Sequence, residues 1–435
     1  MKRALYSSII GVFLALTGVL YATEPVELTF WHGIESPESV RILEEKIALF
    51  EKQHPDIRIR AQNYGAADQV SAKIMIAVAG RLPPDLMWWA PAFTGRMAKT
   101  GKIVKIGDLI ARDPDFDAAD IYDGLWDVSR YKGEIWTAPF DANNLALYYN
   151  KDHLAAAGID PQSINTWTDL LAAAKKLTTP NRYGFQIPMG KNEWTVWVWQ
   201  TFLWQAGGEF LTEKDNWPAP AFNSPAGEAA LDYWVDFVHT HHAANFSEPD
   251  AGYKTDDFIA GRISMMVNGP WNYGALKQAA RETGLNYGAL FLPAAGPDYA
   301  PDGSGRRATN IGGENLFIFK SDSAREQAAW EFAKFVMSPD FQVDWAIRTG
   351  YLPVCRSAQQ SPAYQQFLAD NPFIKVFADQ MQYGRARPSI PQYRKISRIL
   401  GKQIERALYQ KKSANAALQD AAASSTRILN KGRRR

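Results

Sequence analysis

Cysteine is nearly absent. Cys355 is the one thiol in 435 residues, so no internal disulfide can staple the chain, and stability must come from packing. Histidine is scarce as well, six in all, and three of them stand close together as His239, His241 and His242. His239 and His242 share a helical face, but they follow the apolar run LDYWVDFV at what reads as a helix end, where an imidazole meets the negative end of the dipole. No metal and no cofactor is expected. Charge of one sign is missing too: 48 Lys and Arg stand against 46 acids, and two of the bases are Lys2 and Arg3, which leaves 46 of each beyond them. A chain so balanced is not expected to bind nucleic acid. The basic end NKGRRR reads as a solvated tail. Catalytic signatures are lacking. There is no G-x-S-x-G, P-loop or H-E-x-x-H. Ser129 to Lys132 fits S-x-x-K and Lys99 to Gly101 fits K-T-G, but their order is reversed and no S-D-N lies between them, so chance accounts for both.

What is present begins with a basic start, an apolar run from about Ile9 to Tyr21 and the polar stretch TEP. That pattern describes a secretory signal, residues 1–22, cleaved after Ala22. No cysteine follows it to take a lipid, so a free periplasmic protein, a monomer, is expected. The remaining 435 − 22 = 413 residues are too many for one core and predict two lobes.

Along the chain, VELTFWH, DIRIRAQ and PPDLMWWA read as strands alternating with helices, the first helix opened by Ser36 and Pro37. Such alternation predicts an α/β chain with mainly parallel sheets flanked by helices. Thr166 and Asp169 form a capping-box start for WTDLLAAAKKL. Beyond about Asp340 the pattern is almost wholly helical, and residues 293–310 form a Gly/Pro-rich loop.

Tryptophan is the abundant residue, fifteen in all, and KNEWTVWVWQTFLWQAGGEF places four of them within eleven positions. At about 100° per residue, Trp194, Trp197, Thr201 and Trp204 share one helix face, with Val196, Trp199, Leu203 and Ala206 on the opposite one. One face is expected in the core and the other on something else apolar. Ligands of doubly wound sheets sit beyond the carboxyl ends of strands. The residues there are Trp31 and His32, Trp88 and Trp89, Asp141 to Asn144, Asn268 to Trp271 and Gly312 to Asn315. Indoles offer flat apolar faces to sugar rings, while carboxylates and amides take hydroxyls, so this mixture points to carbohydrate. Asp85, Asp141 and Glu314 could also form the acid pair of a glycosidase, which is the enzyme alternative.

Eight motifs, LTFWHG, PPDLMWWA, APFDANNLALYYNKDHLAAAGIDP, AGGEF, MMVNGPWNY, NIGGENLFIFK, EFAKFVMSPDFQVDWAIRTGYLPV and ARPSIPQYRKI, together resemble the extracellular solute-binding proteins of ABC importers for sugars and glycerol phosphates. The resemblance covers nearly all of the chain beyond residue 22. It implies a two-lobe periplasmic binding protein fold with residues 23–141 plus 290–339 in one lobe and 145–287 plus 340–435 in the other. Three hinge crossings would fall near Asp141 to Ala146, Asn286 to Leu290 and Ser338 to Phe341, with the ligand cleft between the lobes. It implies no catalysis, and as partners membrane permease subunits with a cytoplasmic ATPase. The ligand-binding residues expected are His32, Trp89, Asp141, Asn143, Trp194, Trp197, Asn268, Trp271, Gly313, Tyr351 and Arg387, with Trp194 and Trp197 facing the cleft and Trp199 the core. Ala67 and Pro91 stand where glycerol-phosphate binders carry a tyrosine and a glutamate, which favours a sugar, expected to be an oligosaccharide, over glycerol 3-phosphate or a glycerophosphodiester.

Overall fold

A computed structural model describes residues 24–65 and 67–433, without the side chains of 67–72. The leader expected over 1–22 and the contact position at Ala67 therefore lie outside the described side chains. Among the described residues no helix is long and apolar enough to cross a membrane.

The chain builds two five-stranded sheets on one plan. The first sheet runs Ile57–Asn63, Val26–His32, Leu86–Trp89, Asn315–Ile318, Ala138–Pro139, and the second Ala244–Phe246, Tyr183–Ile187, Ile263–Asn268, Ala146–Asn150, Tyr287–Leu290. In each, the fourth strand pairs antiparallel with both neighbours while the other pairings are parallel, so four of five strands point the same way. The reversed strand matters for the site. Asn315, at its start, lies opposite Trp89 and Pro139 at the ends of theirs, and Ala146 lies opposite Asn268, so strand starts and strand ends share one edge of each sheet.

Local chemistry sets these elements. Ser36 caps the helix Pro37–Gln53, whose proline needs no amide partner in the first turn. Thr166 and Asp169 form the expected capping box, which is worth about 1 kcal/mol. The basic end is helical through Arg433 rather than a loose tail from residue 430. Leu28, Phe30, Ile42 and Phe50 anchor the core of the first sheet, and Leu147, Trp167, Phe185 and Leu203 that of the second.

Two segments expected to cross between lobes lie elsewhere. Residues 287–290 are an edge strand inside the second sheet, and that lobe also keeps the loop beyond it: Ala294 bridges to Thr166, and Tyr299 packs on Trp167 and Tyr233. Ser338 caps the helix Pro339–Thr349, which packs on the first helix through Lys46–Asp344 (2.8 Å) and on Phe140 through Phe341 and Trp345. Three strands of chain do run side by side at the junction. Asn143 bridges to Gly312 and Ala142 to Leu352.

Candidate functional site: an aromatic and carboxyl cluster between the sheets

The tryptophan-rich helix, Glu193–Gln205, has every residue from Trp194 to Gln205 buried, but its two faces meet different things. Trp199 is 0% exposed within the second lobe's core. On the other face Trp194, Trp197, Trp271 and Tyr253 gather, with ring centroids 5.7 Å (Trp194 to Trp197), 6.0 Å (Trp197 to Trp271) and 5.6 Å (Tyr253 to Trp271) apart. Asn310 donates its amide to the Trp197 carbonyl and to Thr201 Oγ1 (2.8 Å), which fixes this face against the strand Thr309–Ile311. Gly312 lies so close that a Cβ there would sit 2.7 Å from the Trp197 ring and 2.2 Å from Asn143 Oδ1. Trp204 lies under the Arg385 guanidinium, 5.0 Å from ring to cation.

The first sheet contributes acids and indoles. The Glu314 amide donates to Asp141 Oδ1 (2.9 Å), and the amides of Phe140 and Asp141 donate to the Glu314 carbonyl (2.9 and 3.3 Å), so the two carboxyl groups stand side by side. Gly313 between them has φ +114°, and a Cβ would lie 2.1 Å from the Asp141 carbonyl oxygen. Burial pushes the Asp141 carboxyl up to about 7, partly offset by hydrogen bonds from Glu314 and by the indoles of Trp88 and Trp345. Glu314 is pushed well above the usual carboxylate range by burial and then by the neighbouring Asp141, with Arg387 acting the other way. Tyr253 and Tyr351 face this pair, and Glu35, just past the first strand, faces both tyrosines; all raise the phenols on top of the dominant effect of burial.

Arg387 lies over the tryptophan helix. Its guanidinium lies 5.0 Å over the Trp197 ring and binds Glu193 Oε1 at 3.1 Å. Glu193 also accepts from Tyr393 Oη (2.6 Å), Arg394 Nη1 (2.8 Å) and the Ser397 hydroxyl. Arg394 in turn lies 5.3 Å over Phe93 of the first lobe.

Of the eleven residues expected from sequence, Asp141, Asn143, Trp194, Trp197, Trp271, Gly313, Tyr351 and Arg387 come together here. Three do not. Trp89 is 0% exposed, stacked 3.7 Å from Phe93 and packed on Phe317 in a separate apolar cluster, because its strand alternates: Trp88 turns toward Gly33 and Asp141 while Trp89 turns away with Met87. Asn268 spends its side chain holding loops, donating to the Tyr253 carbonyl (3.0 Å) and accepting from the Gly269 amide (2.9 Å). His32 is buried beside Phe30 at 5.8 Å between rings, and burial pushes its imidazole down to about 4, so it is neutral at physiological pH. Sequence reading missed Tyr253, in a loop with no motif, and Trp345, in a helix that reads as ordinary core.

The other candidates resolve into structure. Asp85 accepts from Thr29 and pairs with Arg325 (3.2 Å), away from Asp141. Ser129 donates to the Leu125 carbonyl and accepts from Asn315. His239 is hydrogen-bonded to the Leu408 carbonyl (2.7 Å). Two surface hollows, one lined by Trp217 and Leu429 and one by Ile164 and Phe291, share no residue with the cluster.

Two α/β lobes with indoles, carboxyls and glycine amides converging between their sheets have the architecture of a solute-binding protein. The family model described as bacterial extracellular solute-binding protein matches residues 46–371, and the chain belongs to that family. It is the substrate-binding component of an ABC importer, and its relatives are exported solute-binding proteins. The maltotriose-binding protein of Pyrococcus abyssi is 25% identical over 84% of this chain and 74% of its own length. The sn-glycerol-3-phosphate-binding periplasmic protein UgpB of Pectobacterium atrosepticum is 24% identical over 94% and 93%. Among solved structures, the cyclic alpha-maltosyl-1,6-maltose binding protein from Arthrobacter globiformis superimposes with a TM-score of 0.78 at 29% identity, covering 93% of this chain and 99% of that one.

Proposed function

We propose that this protein captures an oligosaccharide in the periplasm by lobe closure, as a monomer without transforming it, and delivers it to a permease pair driven by a cytoplasmic ATPase. The observation that carries the reading is a set of buried polar atoms at the cluster without protein partners, Asn143 Oδ1 and the indole nitrogens of Trp197 and Trp271, beside the carboxyls of Asp141 and Glu314, which face each other and the indoles of Trp88 and Trp345. Buried polar groups are nearly always paired, and each left alone costs about 1–3 kcal/mol. A ligand that both donates and accepts, beside four aromatic faces, satisfies such a set, and a sugar does so. The maltotriose-binding and maltosyl-maltose-binding relatives support this choice.

The crossings of this hinge would be residues 142–144, residues 312–314, and a third beyond Ser357, which still binds Asp120 of the first lobe, and before Phe367, which packs on Tyr273 of the second. The first lobe would then comprise 24–141 and 315–357, and the second 145–311 and 367–433. Catalysis is disfavoured because the Glu314 amide binds Asp141 Oδ1 at 2.9 Å and the two carboxyls face one another, whereas glycosidase carboxyls stand about 5–9.5 Å apart across the bond they cleave. A glycerol phosphate is the second reading, favoured by Arg387 against Trp197 and by the UgpB relative; the pairing of Arg387 with Glu193 weighs against it.

Incubation with maltodextrins, other oligosaccharides and glycerol 3-phosphate, followed by tryptophan fluorescence and product chromatography, tests the proposal. Saturable fluorescence change with an unaltered oligosaccharide is expected. Turnover, or a response to glycerol 3-phosphate alone, overturns it.

A further inference from the structure

The strap from Arg387 to Arg394 is fastened to the tryptophan helix at both ends. Arg387 Nη1, the Tyr393 hydroxyl and Arg394 Nη1 all bind the Glu193 carboxylate, at 3.1, 2.6 and 2.8 Å, and Tyr393 also accepts from Gln200 Nε2 (3.1 Å). Between those anchors Pro388 and Pro391 each fix a backbone dihedral, so the strap has little freedom to bow. Its middle rests on the first lobe. The Ser389 carbonyl lies against Gly95, where a Cβ would sit 2.2 Å from that oxygen and 3.0 Å from its carbon, well inside van der Waals contact. Arg394 lies 5.3 Å over Phe93, two residues before that glycine. Gly95 is the second residue of the helix Thr94–Thr100 and its φ is not left-handed, so its conformation is open to alanine, the better helix former. Within the first lobe the nearest atom to that Cβ outside the helix is on the Tyr131 ring, at 3.0 Å, and this half-buried side chain can turn aside. The strap's carbonyl is main chain, held between two prolines and the Glu193 anchors, and cannot.

We propose that Gly95 is the stop on which the strap of the second lobe lands when the lobes close, so that its missing side chain sets how far they close and how tightly the sugar is held. The inference rests on the closure reading and the lobe boundaries above and adds the contact where closure ends. One methyl group at residue 95 would prop the lobes apart on the strap side and leave the sugar's contacts incomplete.

The test is Gly95→Ala, with Gly107→Ala as its control: Gly107 lies in the first lobe's helix Ile106–Ile110, and a Cβ there meets nothing outside that helix nearer than 3.6 Å. Each protein is titrated with the oligosaccharide of the panel above that changes wild-type tryptophan fluorescence, and small-angle scattering is recorded with and without it. The expected result is that Gly95→Ala, folded by its melting curve, binds at least tenfold more weakly and keeps a larger radius of gyration under saturation, while Gly107→Ala matches the wild type. A Gly95→Ala protein that binds and contracts like the wild type overturns the inference and leaves the closure reading standing, and so does an equal loss in Gly107→Ala. Amide hydrogen exchange on the wild type decides the matter if Gly95→Ala does not fold: peptides spanning residues 92–96 and 387–394 should exchange more slowly with sugar bound, and equal exchange overturns the inference. A wild type that binds no sugar of the panel, or contracts with none, overturns the closure reading and this inference together.

Discussion

Replacing Trp89 by alanine separates the structure's account of the tryptophans from the one their positions in the sequence invite. Both Trp88 and Trp89 end a strand that points at the cleft, and Trp89 alone is fully buried against Phe93 at 3.7 Å. Its removal leaves a cavity in a closed apolar cluster, at a cost of about 3–5 kcal/mol of folding stability. An unfolding entropy of about 2.1 cal/mol/K per residue gives a lobe of roughly 200 residues some 0.4 kcal/mol/K, so Tm should fall by about 7–12 °C if the lobes unfold separately and by about half that if they unfold together. Ligand affinity of the folded variant should change little. Trp197→Ala should show the reverse, losing about 2 kcal/mol of binding, or about thirtyfold in Kd, because its ring lies at the cluster with Trp271 and Arg387. Differential scanning calorimetry and ligand titration on both variants decide the matter. A Trp89→Ala protein that melts like the wild type and fails to bind would refute the core assignment.

Three further outcomes are expected. Gly313→Ala should destabilise the protein by more than the 1–3 kcal/mol of backbone strain alone, since its Cβ would also strike the Asp141 carbonyl at 2.1 Å; a thermal melt measures this. Glu193→Ala should cost about 3–5 kcal/mol, because it removes the carboxylate paired with the Arg387 guanidinium, whose side chain is 9% exposed, and urea denaturation reads the loss. The Asp141 carboxyl is raised from 3.8 to about 7 in the folded state. The folded protein therefore holds a proton that the unfolded chain has released, and ligand-free stability should fall as pH rises from about 4 to 7, by at most roughly 1.4 kcal/mol per unit. Melts of the wild type and Asp141→Asn across that range should converge at low pH and separate at high pH.

The sequence made the alternation of strands and helices legible because each strand is short, apolar and bounded by capping residues such as Ser36 and Thr166. That the two faces of the tryptophan helix meet different surroundings was legible from its period alone, with Trp197 against Trp271 and Trp199 in the core. Which of Trp88 and Trp89 faces the cleft was not, since strand alternation gives two faces without saying which one a neighbouring lobe covers. The crossing expected at Asn286 to Leu290 was misplaced for a related reason. A Gly/Pro-rich loop after residue 290 looks like a connection, and only the pairing of Ala294 with Thr166 and the packing of Tyr299 keep it in the second lobe. Asp141 and Glu314 are 173 residues apart, and their contact depends on an antiparallel return strand that no local pattern announces.

The most direct test of capture by closure is small-angle scattering of the protein alone and saturated with a sugar that titrates tryptophan fluorescence. The account predicts a smaller radius of gyration in the saturated protein, because a ligand that fills the unpartnered groups between the lobes favours the closed state. An unchanged radius under saturation would contradict it.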